Sequence, residues 1–215
     1  MTDSPFEALV VDFGGVLTTP LQEAMIAFAI DIGIELPDLI RVALAAYSGG
    51  GDQLVVDFET GRIPEGEFAV KFAARIKDAT GVEVPHEGLV RRIFSTLSLE
   101  EDMLLALETA RAAGFKTAML SNSWGESLYP RDRIDHLFDV MVISGEIGMR
   151  KPDREIFDAT LERLGVAAER CIFVDDHPGH LETATALGMT TVLHRTPPET
   201  LTELSSLMNL RLAAQ

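Results

Sequence analysis

Four apolar runs of four residues each punctuate this chain: Ala8–Val11, Thr117–Leu120, Cys171–Val174 and Thr191–His194. A weaker one covers Val140–Ile143. Each is rich in Val, Ile, Leu or Phe, is too short for a helix and is bounded by turn or polar residues, the signature of a buried strand. Helical spacing fills the gaps between the later runs. Glu100–Ala113, Arg154–Leu164 and Leu181–Leu187 repeat apolar residues at helical intervals, and each stops at a glycine (Gly114, Gly165, Gly188) suited to a helix C-terminus. Strands alternating with helices of this length predict right-handed βαβ units, hence an α/β fold with a parallel sheet covered by helices on both faces.

Residues 19–96 break that rhythm. Helical segments are expected at Leu21–Ile32, Pro37–Tyr47, Gln53–Glu59, Glu65–Ala79 and His86–Thr96, and no strand is expected among them. Met25, Phe28, Phe68 and Phe72 stand at helical spacing and read as core. The block follows the first strand directly. The expected organisation is therefore a core built from 1–18 and 97–215, with 19–96 inserted as a helical cap. SGGGD at 48–52 reads as a flexible joint within it.

With 47% hydrophobic residues, the 215-residue chain can bury one sizeable core and keep length for a subdomain. Its formal net charge of −16 argues against nucleic acid or an anionic membrane as partner, since both need clustered Lys and Arg. The same charge repels anions at long range, so a phosphate site would need local positive charge. The one cysteine, Cys171, opens an apolar run and reads as a buried, inert thiol. An internal disulfide is impossible, which fits a reducing cytoplasm. MTDSPFEALVVD lacks a basic start followed by a long apolar segment, so neither a signal peptide nor a membrane span is expected.

In open parallel sheets, chemistry collects beyond the carboxyl ends of the strands. Here those ends carry Asp12, Ser121 and the pair Asp175–Asp176, while Lys151 lies in a loop before the CIFV run. Carboxylates converging on one rim are costly unless a cation neutralises them. Hard oxygen ligands suit Mg²⁺, which takes one or two carboxylates plus a substrate phosphate. A lysine and a hydroxyl suit phosphate oxygens. A carboxylate poised beside the phosphorus can attack it and form an aspartyl phosphate.

The motifs D12-F-G-G-V-L-T, L120-S-N-S-W, G148-M-R-K-P-D and F173-V-D-D-H-P-G-H, followed by A184-T-A-L-G-M, resemble those of the haloacid dehalogenase-like hydrolase superfamily, in its order and across the whole chain. F58-E-T-G-R-I, Y129-P-R and H136-L-F-D add to the likeness. Within the superfamily the chain is similar to the N-terminal phosphatase domain of soluble epoxide hydrolases and to bacterial sugar-phosphate phosphatases.

The resemblance implies a Rossmann-like core with a helical cap, a phosphorylated small-molecule substrate and Mg²⁺. It implies Asp12 as nucleophile, and Ser121 as phosphate-binding residue with Asn122 in support. Lys151 would hold nucleophile and phosphate together. Asp12, the Gly14 carbonyl, Asp175 and Asp176 would surround the metal. Most phosphatases of the family carry an aspartate at the position of Gly14, as general acid and base. The expectation is therefore an attenuated phosphatase favouring low-pKa leaving groups, such as acyl or anomeric sugar phosphates. Thr18, Thr19 and Asp52 are candidates for a substitute acid. A haloacid dehalogenase, which uses no metal, and a non-catalytic binder of phosphorylated ligands are the alternatives.

Other features read more plainly. DFGG is followed by neither GK[ST] nor a GxGxxG spacing, which argues against a P-loop or a dinucleotide site. His177 and His180 lack a third ligand at zinc spacing. Trp124 either lines a pocket mouth or packs against the cap.

Overall fold

The computed structural model describes residues 4–48, 53–125 and 128–212. Five strands, β1 (Ala8–Val11), β2 (Lys116–Ser121), β3 (Val140–Ile143), β4 (Cys171–Asp175) and β5 (Thr190–Leu193), form one sheet in the order β3-β2-β1-β4-β5. All its pairings are parallel. This is the expected Rossmann-like α/β architecture. The register brings the strand ends together. Val11 lies beside both Met119 and Val174, so the residues just beyond these strands emerge on one edge of the sheet.

Alternation along β1 divides the core. Leu9 and Val11 face a cluster that includes Met103, Leu107, Leu204 and Met208, whereas Ala8 and Val10 face Ile156, Phe157 and Ala184. The first cluster draws on α6 (Glu101–Ala112) and α11 (Pro197–Met208), the second on α9 (Arg154–Leu164) and α10 (Pro178–Ala186). Two short helices, α7 (Arg131–Ile134) and α8 (Ser144–Ile147), flank β3. Cys171 is fully buried, as expected.

Among the described residues between β1 and α6 lie five helices: α1 (Leu21–Ile32), α2 (Leu36–Ser48), α3 (Leu54–Glu59), α4 (Glu65–Thr80) and α5 (Leu89–Ile93). They bury a cluster of their own around Phe28, Leu39, Phe58, Phe68, Phe72 and Ile76, with Met25 packed partly buried against it. Of the expected joint SGGGD, Ser48 ends α2 and positions 49–52 lie outside the described residues.

Most boundaries shift by a residue or so from expectation, and three of the differences have a clear local cause. The segment expected as helix from His86 reduces to α5 because Gly88 stands just before it with a left-handed φ of 64°, which no helix interior accepts. Helix α10 starts earlier than Leu181: Pro178 is pre-set for a first turn, and His177 Nδ1 accepts the Gly179 N–H at 3.1 Å. Strand β5 stops at Leu193, and His194 beyond it donates its N–H to the Asp175 carbonyl. Helix α11 was not among the expected elements. Among the described residues no helix is long and apolar enough to cross a membrane.

Candidate active site

Asp12 is the first residue after β1, and the chain turns sharply behind it. Gly15 makes that turn with φ 77°, and a Cβ there would lie 2.5 Å from Asp176 Oδ2, so both backbone and space demand glycine. The Gly15 N–H donates to Thr18 Oγ1, which itself donates to the Thr19 carbonyl. Asp12 Oδ1 accepts the Phe13 N–H at 2.7 Å and an ion pair from Lys151 Nζ at 2.9 Å. Both contacts fall on Oδ1.

Lys151 is wholly buried and is shared. Its Nζ also lies 2.6 Å from Asp175 Oδ2. Asn122, after β2, fixes this lysine by its backbone: Asn122 Nδ2 donates to the Lys151 carbonyl at 3.0 Å, and the Lys151 N–H donates to Asn122 Oδ1 at 2.8 Å. Burial opposes the ammonium, but Asp12 and Asp175 outweigh it and raise its pKa.

One lysine cannot balance two buried carboxylates. Asp175 has further partners in the His177 N–H at 2.8 Å and His180 Nδ1 at 2.9 Å. Burial works against its charge, yet Lys151 and His180 prevail and hold it down at about 2. In Asp12 burial wins over Lys151, with Asp175 adding repulsion, and its pKa rises to about 7. Asp176 is more exposed; partial burial and then Asp175 raise its pKa too.

Of these groups Asp12, Asn122, Asp176 and His180 line a cavity of about 490 Å³ between the sheet edge and the inserted helices, with Lys151 and Asp175 buried behind them. Gly14, Ser121, Asn122, Asp176 and His180 share that wall with Asp12. The rest is largely apolar, with Leu21, Leu44, Leu97, Trp124, Leu128 and Pro152. Trp124 does both things considered for it: it lines the cavity and meets Phe58, Phe68 and Phe94 edge-on. Arg150 is the only Lys or Arg among the described lining residues, and it forms a 2.9 Å ion pair with the buried Glu59 of α3.

A family model described as haloacid dehalogenase-like hydrolase matches residues 6–188. The chain belongs to the haloacid dehalogenase-like hydrolases. It is 30% identical over 96% of its length to acyl-CoA dehydrogenase family member 10 of Mus musculus, the match covering 20% of that protein. It is 29% identical over 78% of its length to bifunctional epoxide hydrolase 2 of Sus scrofa, covering 33% of that protein. The chain thus spans a third or less of these two relatives. A sesquiterpene phosphatase of Aspergillus oryzae is 26% identical over 86% of this chain and 87% of its own. Among solved structures, a HAD-like family hydrolase from Porphyromonas gingivalis has a TM-score of 0.71 at 24% identity, covering 94% of this chain and 98% of its own. A HAD family enzyme from Bacteroides thetaiotaomicron, solved as a magnesium complex, has a TM-score of 0.67 at 23% identity, covering 89% of this chain and 94% of its own.

Asp12, Gly14, Ser121, Asn122, Lys151, Asp175 and Asp176 all meet at this one rim. The substitute acids fare differently. Thr18 spends its hydroxyl within the turn, and Thr19 accepts the Ser98 N–H away from the cavity wall. Asp52 lies outside the described residues. Helix α10 is capped by His177. His180 finds neighbours that its spacing to His177 concealed: ligand atoms of Asp12, Asp175 and His180 lie within 4.8 Å of one another. The Glu59–Arg150 pair and Tyr129, 2.9 Å from Ser121 Oγ, were not anticipated, although FETGRI, GMRKPD and YPR contain them.

Proposed function

We propose that the chain is a Mg²⁺-dependent phosphatase that takes the phosphoryl group of its substrate onto Asp12, with 19–96 acting as the cap that covers the site. The observation carrying this reading is the shared lysine: Lys151 Nζ bridges Asp175 and Asp12, the latter lining the cavity. Two buried carboxylates against one ammonium leave a negative charge that a divalent cation would offset. The donors suit Mg²⁺, being the carboxylates of Asp12, Asp175 and Asp176 and the backbone carbonyl of Gly14. Such an ion would supply charge stabilisation for the phosphoryl oxygens.

Asp12 Oδ2 attacks phosphorus in line with the leaving oxygen. The phosphorus–oxygen bond to the leaving group breaks, and its electron pair departs with that oxygen. Water then adds to the phosphorus of the aspartyl phosphate, the Asp12 carboxylate is expelled and inorganic phosphate leaves. Lys151 orients Asp12 and attracts the phosphoryl oxygens, Ser121 donates a hydrogen bond to one of them, and Asn122 keeps Lys151 in place. Positioning and electrostatics of this kind carry most of the catalysis of phosphoryl transfer.

Gly14 supplies no acid for the leaving oxygen, which favours leaving groups of low pKa. The cavity wall adds a second filter. Its apolar side chains offer a hydrocarbon body contact, and its arginine is already paired with Glu59. Of the leaving groups with low pKa, acyl and aryl phosphates with an apolar body satisfy both filters, whereas an anomeric sugar phosphate meets few polar partners. Likeness to a sesquiterpene phosphatase is consistent with an apolar leaving group.

The test is phosphate release with Mg²⁺ over acyl, aryl and sugar phosphates, on wild type and Asp12→Asn. Fastest release from apolar acyl or aryl phosphates, lost with chelator and in Asp12→Asn, is expected. Chelator-insensitive halide release from 2-haloacids would replace this reading with the dehalogenase. Phosphate binding without turnover on any substrate would replace it with a binding protein.

A further inference from the structure

One pair of charges on the cavity wall takes no part in the phosphoryl transfer. Glu59, the last residue of α3, and Arg150, next to Lys151, both line the cavity, with Oε2 and Nε 2.9 Å apart. One comes from the inserted helices and the other from the loop between α8 and α9. Lys151 is taken up by Asp12 and Asp175, and Arg150 is the only Lys or Arg among the described lining residues. A second anionic group on a substrate would therefore have to turn to Arg150.

Glu59 stands in its way. The Glu59 side chain is 2% exposed, whereas that of Arg150 keeps 20% of its surface open. The backbone of Glu59 is clamped to the core. The Ser144 hydroxyl, which accepts the Ser123 N–H at 2.7 Å, donates to the Glu59 carbonyl. Two residues on, Gly61 lays bare backbone against the Gly145 carbonyl, where a Cβ would overlap it. The end of α3 thus cannot draw back without breaking contacts with the core. A substrate anion that took the guanidinium would leave the Glu59 carboxylate buried without its counter-charge, a strongly unfavourable exchange. A hydrocarbon or neutral polar body meets no such penalty.

We propose that Glu59 is a specificity-determining residue: by occupying Arg150 it makes the cavity reject substrates that carry a second anionic group, such as a carboxylate, beyond the phosphoryl group. The inference rests on the phosphatase reading for the reaction, but the rejection belongs to the wall and is readable without turnover. Removing the charge of Glu59 while keeping its bulk should turn Arg150 into an anion subsite.

The test has two arms. The first compares kcat/KM with Mg²⁺ for 4-carboxyphenyl phosphate and 4-carbamoylphenyl phosphate, which differ in charge but little in shape. Glu59→Gln should raise the acid-to-amide ratio roughly tenfold or more over wild type, the usual value of a hydrogen bond to a charged group. Adding Arg150→Gln should bring the ratio back. A merely structural role for Glu59 would lower both rates together and leave the ratio alone. The second arm titrates benzoate, benzamide and benzylamine against the fluorescence of Trp124, the chain's one tryptophan, which lines the cavity. Glu59→Gln should bind benzoate about tenfold tighter than wild type, with benzamide unchanged. Arg150→Gln, which leaves the carboxylate instead, should favour benzylamine over benzoate, and it decides the matter if Glu59→Gln fails to fold. Benzoate affinity unchanged in Glu59→Gln, or an acid-to-amide ratio that does not move, overturns the proposal. A wild type that turns over neither phosphate defeats the phosphatase reading, and the titration then still decides what Glu59 excludes.

Discussion

Gly14→Asp adds the carboxyl that the site lacks, and the structure says what that costs. Gly14 has no left-handed backbone, so an L side chain fits its conformation. Its Cβ would lie 3.2 Å and 3.3 Å from the two δ-carbons of Leu21. Leu21 is partly exposed and must give by a few tenths of an ångström. An off-rotamer shift of that kind costs about 0.5–1.5 kcal/mol, nearly offset by the ~0.4–1 kcal/mol gained by restricting a glycine in the unfolded chain. The larger cost is charge. A further carboxylate joins Asp12, Asp175 and Asp176 beside the single Lys151. At about 5 Å and an effective dielectric constant near 20, one such repulsion is roughly 3 kcal/mol. Metal-free Gly14→Asp should therefore melt below wild type, with Mg²⁺ closing the gap. General acid help typically contributes about 10²–10⁴-fold. It matters most for poor leaving groups, so the assay is kcat/KM across aryl phosphates of rising leaving-group pKa. Wild type should fall steeply along the series, and Gly14→Asp should flatten the slope by gaining at the high-pKa end. Parallel lines would refute the reasoning, since they would mean that the leaving oxygen already receives its proton from another group.

Lys151→Met should destabilise the metal-free protein by about 3–5 kcal/mol, the usual penalty for stripping a buried charge pair of one partner, read as a shift in the urea midpoint; a change near zero would deny that the lysine balances Asp12 and Asp175. Mg²⁺ affinity should climb about tenfold per pH unit up to about 7 and then level, because binding must displace the proton that burial keeps on Asp12; affinity independent of pH between 5 and 8 would contradict this. By linkage, Asp12 in the folded metal-free protein holds, between its ordinary 3.8 and about 7, a proton that the unfolded chain has lost, so its contribution makes stability fall as pH rises across that window. Cys171, fully buried and pushed up to about 12, should resist thiol reagents at pH 8 until urea opens the fold, and rapid labelling of the native protein would show that β4 is not sealed.

The strands were legible because a buried parallel strand needs apolar residues on both faces, and such runs stand out from their polar borders. Ala8–Val11 and Val140–Ile143 coincide with β1 and β3 to the residue. Helix edges were less legible where a single residue decides. Gly88 truncates α5 through its backbone angle, and His177 starts α10 by capping it with an imidazole, which no apolar spacing reveals. The rim residues Asp12, Ser121 and Asp175 could be located because each ends or follows a strand of the same sheet edge. Partners from distant segments could not. Tyr129 reaches Ser121 from eight residues away through an irregular segment, and Glu59 meets Arg150 across the gap between inserted helices and core. The Glu59–Arg150 pair depends on how two separately packed clusters face each other, which no local pattern encodes.

Charge balance links the glycine at position 14 to the lysine at position 151. Lys151 touches both carboxylates, at 2.6 Å from Asp175 and 2.9 Å from Asp12, and Asp175 also receives the His177 amide and the His180 imidazole, so Asp175 is the better compensated of the two. Asp12 is left holding a proton near neutral pH, and a protonated carboxyl does not attack phosphorus. A cation beside Asp12 returns it to the reactive form. A second carboxyl at position 14 would draw on that same cation and compete with Asp12 for its field. On the phosphatase reading, glycine there would let the neutralising charge fall on Asp12 as the proposed nucleophile. The site would give up help to the leaving group and keep a more fully ionised attacking group, a trade that favours substrates whose leaving oxygen needs no proton.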